Sequence, residues 1–376
     1  MRRIAGASLC ALLVTVSAVS GSVSDRGGGR DRLRDRVHAA SAVPDDGCVP
    51  GSAARAARPH DRADLGHDGA VALLADLHQT LLDRFGTSDI ARFEASRFDA
   101  SRFDASRFDA SRFDASRFDA SRLDGARRIA RRLVVPVRFH VVHSGRYGRL
   151  SKKALRRQIA TLNAAYSGRK GGADTRIRFR LSGYDRTNKP SWFYHPQHYE
   201  HAMKRRLRKG GRGTLNVYTA SVGAEVLGFS TFPQWYRRDP RMDGVVVDYR
   251  SLPRGSYAPF NHGYTGVHEI GHWLGLMHTF EGGCTPPGDG VADTPYEAVP
   301  AEGCPRHRDT CPQRGRDPVH NFMDYAHDSC MRGFTAGQGR LIRASWAAYR
   351  SRRHGRHRVD PSTAGPGAAR SVGGAR

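Results

Sequence analysis

The run His268-Glu269-Ile270-Gly271-His272-Trp273-Leu274-Gly275-Leu276-Met277-His278 holds three imidazoles and one carboxylate at spacings that make joint sense around a metal ion. On an α-helix of about 3.6 residues per turn, positions four apart project from one face, so His268 and His272 are placed to share one ion. Glu269 sits beside the first of them. Gly275, three residues past His272, is able to take the left-handed conformation that stops a helix and turns the chain, which returns His278 to the same ion. Three neutral imidazoles leave a fourth zinc position for water, the pattern of a catalytic site, and the implied chemistry is metal-assisted hydrolysis.

The His268-Glu269…His272 part alone is short enough to arise by chance on an amphipathic helix. Gly275 and His278 extend it to H-E-x-x-H-x-x-G-x-x-H, the metzincin zinc signature, which requires a methionine-containing turn downstream. His320-Asn321-Phe322-Met323-Asp324-Tyr325 supplies such a turn.

Around this centre the 376-residue chain carries a formal charge of +25. Its arginines are spread over the whole length, with no aromatic-flanked basic motif and no zinc-finger spacing. The charge therefore argues for solubility and non-specific attraction to polyanions, and against a specific nucleic-acid partner. Met1-Arg2-Arg3, an apolar run over 4–19 and small residues after it read as a secretory signal over 1–22, too short and too weakly apolar for a membrane span. No later segment is able to span a membrane, so a secreted, extracellular protein is expected. In that compartment Cys284, Cys304, Cys311 and Cys330, clustered after the zinc motif, suggest two disulfides with three possible pairings. Thiolate zinc ligation is the rival reading, disfavoured because no C-x-x-C pair is present.

Taken in order, residues 23–91 read as a pro-segment with one helix over 70–85, where Val71, Leu73, Leu74, Leu77, Leu81 and Leu82 fall at helical spacings. Residues 92–126 are a tandem repeat: Arg92-Phe93-Glu94-Ala95-Ser96, five copies of Arg-Phe-Asp-Ala-Ser, then a degenerate copy. A period of five advances each phenylalanine by about 140° on a helix, so no apolar stripe forms and a spacer is expected. The basic run 127–132 reads as a processing linker, and the Arg/Gly/Ala-rich 352–376 as a disordered tail. Between them, residues 133–351 alternate a β-branched strand over 133–143, a helix over 151–166 capped by Ser151, strands over 176–181, 215–219 and 244–248, then the zinc helix. That order predicts an α/β arrangement with a twisted sheet above the site.

Leu162-Asn163-Ala164-Ala165-Tyr166-Ser167-Gly168, Leu215-Asn216-Val217-Tyr218, Leu227-Gly228-Phe229-Ser230-Thr231-Phe232-Pro233, Asp243-Gly244-Val245-Val246 and the zinc motif together resemble the pappalysin family of metzincin metallopeptidases, over roughly residues 134–346. The resemblance implies an α/β (α+β) metzincin-type zincin fold: a twisted mixed sheet, a zinc-bearing active-site helix and an irregular, disulfide-linked lower lobe. It places zinc on His268, His272 and His278, the general base on Glu269 and the Met-turn at Met323, with Tyr325 as a donor to the oxyanion. It pairs Cys284 with Cys311 and Cys304 with Cys330. It also offers Asp289 and Asp293 as oxygen ligands for structural calcium, with turn capping as the alternative. One departure concerns the wall of the specificity pocket: His327 stands where relatives often carry an acid, leaving Asp328 to favour a basic side chain after the scissile bond. In zymogens of this kind a pro-segment cysteine closes the fourth zinc position, and Cys48 is the candidate here.

These readings converge on a secreted zinc metalloendopeptidase, made as a zymogen and acting on protein or peptide substrates. The alternatives are a catalytically silent, zinc-stabilised binding protein, against which the intact Glu269 argues, and a processing enzyme dedicated to one partner. The sequence sets no oligomeric state.

Overall fold

Leu133–His143 forms the central strand, β1, and the rest of the sheet is laid on either side of it. The structure, a computed structural model, describes residues 63–98, 132–223 and 226–351. The expected signal, Cys48, the later repeat copies, most of the basic run and the tail lie outside the described residues.

The sheet has five strands in the order β2-β1-β3-β5-β4, with β2 (Ile177–Asn188), β3 (Leu215–Ala220), β4 (Gly228–Phe229) and β5 (Val245–Asp248). Four strands are parallel and β4 runs antiparallel at the edge, pairing Gly228 with Val247 and Phe229 with Val246. Every residue of β3 and β5 is buried, as expected of strands covered on both faces. β2 runs past the expected 181 to Asn188 because β1 continues to pair with it beyond a register shift at Val137/Arg138. Residues 182–188 are mostly polar, half-buried except for the exposed Arg186 and Asn188, so they carry no apolar period to announce a strand.

Ser151 caps the helix α3 (Lys152–Tyr166), its hydroxyl accepting from Ala154 N at 3.2 Å. This helix buries Leu155, Leu162 and Tyr166 against the sheet, and the Tyr166 hydroxyl donates to the Val267 carbonyl at 3.0 Å. Gln158 Nε2 donates to Gly263 O at 2.9 Å. Both bonds fix the height of helix α6 (Tyr264–Trp273), which carries His268 and His272 and all ten residues of which are buried. The short helices α4 (Pro190–Tyr194) and α5 (Glu200–Leu207) flank the other side of the sheet.

The closing helix α7 (Ala336–Ser345) starts at a capping box: Thr335 accepts from Gln338 N, and the Gln338 side chain accepts from Thr335 N. A π-turn, Trp346–Arg350, continues it. There Arg350 donates to Asp243 Oδ1 at 2.7 Å and stacks 3.8 Å from the Trp273 ring, tying this turn to the foot of α6. The lower lobe between α6 and α7 has little regular structure and is cross-linked by Cys284–Cys311 and Cys304–Cys330.

Two further helices precede β1: α1 (Gly66–Phe85) and α2 (Ile90–Phe98). Leu77, Leu81 and Phe93 join the main hydrophobic core. The spacer expected from residue 92 therefore begins inside the fold. Its first copy differs from the others by Glu94, which forms a 2.6 Å ion pair with Arg343 of α7. Among the described residues no helix is long and apolar enough to cross a membrane.

Candidate metal centre and active site

Helix α6 sets His268 and His272 on one face, and their Nε2 atoms lie 3.0 Å apart. The helix ends at Trp273, and Gly275, with φ +103°, swings the chain back so that His278 Nε2 reaches 3.2 Å from His272 Nε2. All three rings are buried. Among the described residues they are the one group of three or more His, Cys, Asp or Glu side chains with ligand atoms within 4.8 Å of one another.

The proton positions test whether a metal fits. His268 Nδ1 lies 2.7 Å from the Phe322 carbonyl and His272 Nδ1 2.8 Å from the Leu276 carbonyl. A carbonyl only accepts, so each Nδ1 carries the proton and each Nε2 presents a lone pair. His278 Nδ1 faces two carboxylates, Asp64 at 3.0 Å and Glu281 at 3.5 Å, with the same consequence. Three lone pairs thus converge in a buried space, an arrangement that repels itself unless a cation lies between them. Tetrahedral zinc with bonds of about 2.0–2.1 Å requires nitrogens about 3.3 Å apart, close to the observed spacing. The outward Nδ1–H bonds of His268 and His272 are of the kind that orients metal-bound imidazoles.

Glu269 is buried next to this triad. Edge strand β4 passes directly over it: a Cβ on Gly228 would lie 2.8 Å from Glu269 Oε1 and from Val246 O. Only glycine leaves room for the carboxylate there. Met323 lies under α6, where a Cβ on Gly271 would come 2.4 Å from its sulfur. Two residues on, the Tyr325 hydroxyl sits 3.1 Å from His278 Nε2. Phe232 stands edge-on to His272 at 5.5 Å, and Phe280 stacks on His278 at 4.7 Å, closing the apolar sides of the triad.

The other expected site residues are distributed as follows. Asp328 is buried and accepts from His262 N at 2.8 Å, two residues before the start of α6. His327 packs edge-on against Phe260 at 5.3 Å. Asp293 caps α7, accepting from Gly337 N at 2.8 Å, and Asp289 accepts from Val291 N at 3.0 Å. Burial, then the nearby Asp293 charge, pushes the Asp289 carboxyl well above the usual carboxylate range, with the Val291 and Thr294 hydrogen bonds opposing. Below the Met-turn, Asp324 Oδ1 accepts from Ala301 N and Tyr325 N, and Glu297 accepts from Thr279, the neighbour of His278. Glu297 is buried and pushed up to about 8, first by burial and then by the Asp324 charge.

Sequence reasoning did not single out Gly228, Phe232, Glu281 or Asp64. Gly228 and Phe232 stand in a quoted family-like segment, but nothing local assigns them to the site. Glu281, three residues after His278, is at a spacing that a reader of metal-site supports would notice. Asp64 has no such signal.

Residues 216–345 match the peptidase M43 family model, described as pregnancy-associated plasma protein-A. An extracellular metalloprotease of Verticillium alfalfae is 45% identical over 226 residues, 58% of this chain and 77% of that protein. Among solved structures, mature mirolysin of Tannerella forsythia in complex with a cleaved peptide is 25% identical, with a TM-score of 0.51, covering 58% of this chain and 95% of that one. A promirolysin mutant of the same organism is also 25% identical at TM-score 0.51, covering 62% of this chain and 91% of that one.

Proposed function

Because the chain belongs to the M43, pappalysin-type family of metallopeptidases and is a secreted metalloprotease, we propose that it is a zinc-dependent endopeptidase with Glu269 as general base, made as a zymogen. The observation that carries the zinc reading is the convergence of three Nε2 lone pairs, 3.0 and 3.2 Å apart, with every Nδ1 facing an acceptor.

His268, His272 and His278 would hold the ion. When bound, zinc supplies Lewis acidity, acidifying water and polarising the scissile carbonyl. Glu269, beside the triad, takes the proton of the attacking water and delivers it to the leaving amine. Its burial keeps bulk water from competing for that proton. The Tyr325 hydroxyl donates to the oxygen on which negative charge develops. The unpaired side of β4 lies above Glu269 and is placed to hold an extended substrate by backbone hydrogen bonds. Asp328 supplies a negative charge at the cleft edge, which favours a basic side chain after the scissile bond.

The zymogen reading is supported by the position of α1 and α2, which precede the basic run, and by the likeness to a promirolysin. Calcium at the Asp289 turn is a second cofactor proposal, supported by a buried carboxylate whose charge a cation would stabilise. The test is a diverse peptide library digested by the processed protein and read by mass spectrometry, before and after removal of metal by a chelator. Cuts preceding Lys or Arg that vanish with chelation and return with zinc are expected. Cuts that persist without metal would end the zinc reading, and cuts without basic preference would end the role given to Asp328.

A further inference from the structure

Helix α7 has no part in the proposed reaction, yet one side chain of its first turn reaches the metal centre through a single peptide plane. His268 Nδ1 donates to the Phe322 carbonyl at 2.7 Å. The N–H on the opposite side of that same trans peptide belongs to Met323 and donates to Asn321 Oδ1 at 2.9 Å. A planar unit cannot turn one of these bonds without turning the other, so whatever holds Asn321 Oδ1 sets the direction of the Phe322 carbonyl. Gln338 holds it: its Nε2 donates to Asn321 Oδ1 at 3.1 Å, and Asn321 Nδ2 donates in return to Gln338 Oε1 at 3.0 Å.

We propose that Gln338 and Asn321 are a positioning pair for the metal centre, a proposal that rests on reading His268, His272 and His278 as the zinc ligands of a peptidase. Through the Phe322 carbonyl the pair fixes the direction in which His268 Nδ1–H points, and with it the aim of Nε2. The following carbonyl, that of Met323, accepts from Thr279 N at 3.2 Å, so the same turn also steadies the chain beside His278.

The pair mates in one way only. A backbone N–H is solely a donor, so Met323 N fixes which end of the Asn321 amide is oxygen, and Thr335 N, 2.9 Å from Gln338 Oε1, does the same for Gln338. Both side chains are buried, Gln338 at 0% exposed and Asn321 at 6%, so bulk water does not replace either partner. The capping box by itself takes glutamate as readily as glutamine. An ionised carboxylate has no proton for Asn321 Oδ1, however, and only glutamine serves the cap and the pair together. From the other side, Phe322 N donates to Gly333 O at 3.1 Å, which ties the turn's backbone to the segment leading into α7. Without Gln338 the Asn321 amide is free to turn, the peptide loses its hold at Met323 N, and His268 loses the fixed aim of its support.

The test uses the full-length chain carrying Glu269→Ala, so that it does not cut itself. Zinc content is measured first, and zinc affinity then follows from competition with a chromophoric chelator. In that background Gln338→Met, close in shape but without hydrogen-bonding ends, should bind zinc about tenfold more weakly, the lower end of the loss expected when a support of a metal-bound histidine is disturbed. Asn321→Ala should act in the same direction and carries the test if Gln338→Met does not fold. The double variant should lose little more than the weaker-binding single one, because the two side chains act as a pair. Thr335→Ala is the control: it removes the hydroxyl that accepts from Gln338 N and weakens the cap while leaving the amide pair. It should lower the melting temperature and leave zinc affinity within about twofold of the parent. In the cobalt-substituted protein, the visible absorption band should change in the Gln338 and Asn321 variants and not in Thr335→Ala. Zinc affinity within about twofold of the parent in every folded variant of the pair would overturn the proposal. So would an equal loss in Thr335→Ala, which would make helix stability the cause. A parent that takes up no zinc would contradict the peptidase reading itself, and that result is seen before any variant is compared.

Discussion

Gly275→Ala tests how the chain turns from the second to the third histidine. At φ +103° an L-residue is strained, and the new Cβ would lie 2.4 Å from Ser345 Oγ and 2.9 Å from Ser345 Cβ. The backbone strain costs about 1–3 kcal/mol. Forcing a methyl group against the buried Ser345 costs roughly another 1–3 kcal/mol. At about 2–4 °C per kcal/mol for a domain of this size, the melting temperature should fall by roughly 4–24 °C. The same displacement moves His278, so zinc should be lost to a competing chelator more readily. Adding Ser345→Gly removes the clash and leaves the strain, so the double variant should recover about half of the loss once the helical glycine's own ~1 kcal/mol is subtracted through the Ser345→Gly single variant. Scanning calorimetry on the four proteins, with zinc present, measures all of this. A Gly275→Ala protein that melts within about 2 °C of the parent would refute the reasoning. A double variant no more stable than the single one would show that Ser345 contributes nothing.

Tyr325→Phe should lower kcat on the order of 10²-fold with a smaller change in KM and stoichiometric zinc, measured by steady-state kinetics on one peptide; an unchanged kcat would remove Tyr325 from the oxyanion role. Replacing Cys284 and Cys311 together by Ser opens a 27-residue loop and should cost about 3.5 kcal/mol in denaturant unfolding on the chain-entropy estimate; a loss under about 1 kcal/mol would place the lower lobe's rigidity elsewhere. Glu297 is raised from 4.5 to about 8 in the folded state, so its contribution is full below the unfolded value and is lost as pH rises through the folded one. Glu297→Gln should therefore flatten the fall in stability between about pH 5 and pH 8, and identical slopes for parent and variant would contradict the burial argument.

The centre of this protein was legible because its chemistry is local. Three imidazoles, one carboxylate and the turn glycine Gly275 fall within eleven residues, and spacing alone predicts them on a helix and a turn. Ser151 and the strands β1, β3 and β5 were equally plain, since a cap and continuous β-branched runs report their own surroundings. What could not be read depends on contacts distant in sequence. Strand β4 is two residues long and exists because β5 offers it an edge. The polar half of β2 is a strand because β1 continues to pair with it. Asp293 was read as a calcium ligand or a turn cap; only α7, forty-four residues on, gives it Gly337 N to accept from. The first repeat copy looks like its neighbours, and a single methylene, Glu94 in place of Asp, marks the one that meets Arg343. Asp64 lies more than two hundred residues from His278, and no periodicity connects them.

The central claim is that His268, His272 and His278 bind a zinc ion whose hydrolytic use depends on Glu269. The most direct measurement compares processed parent protein with its Glu269→Ala variant, scoring zinc per chain and cleavage of the same peptide mixture. One zinc in each, with cutting by the parent alone, is the predicted result. Zinc in both and cutting by neither would leave a secreted zinc-stabilised binding protein, and cutting by both would take the base away from Glu269.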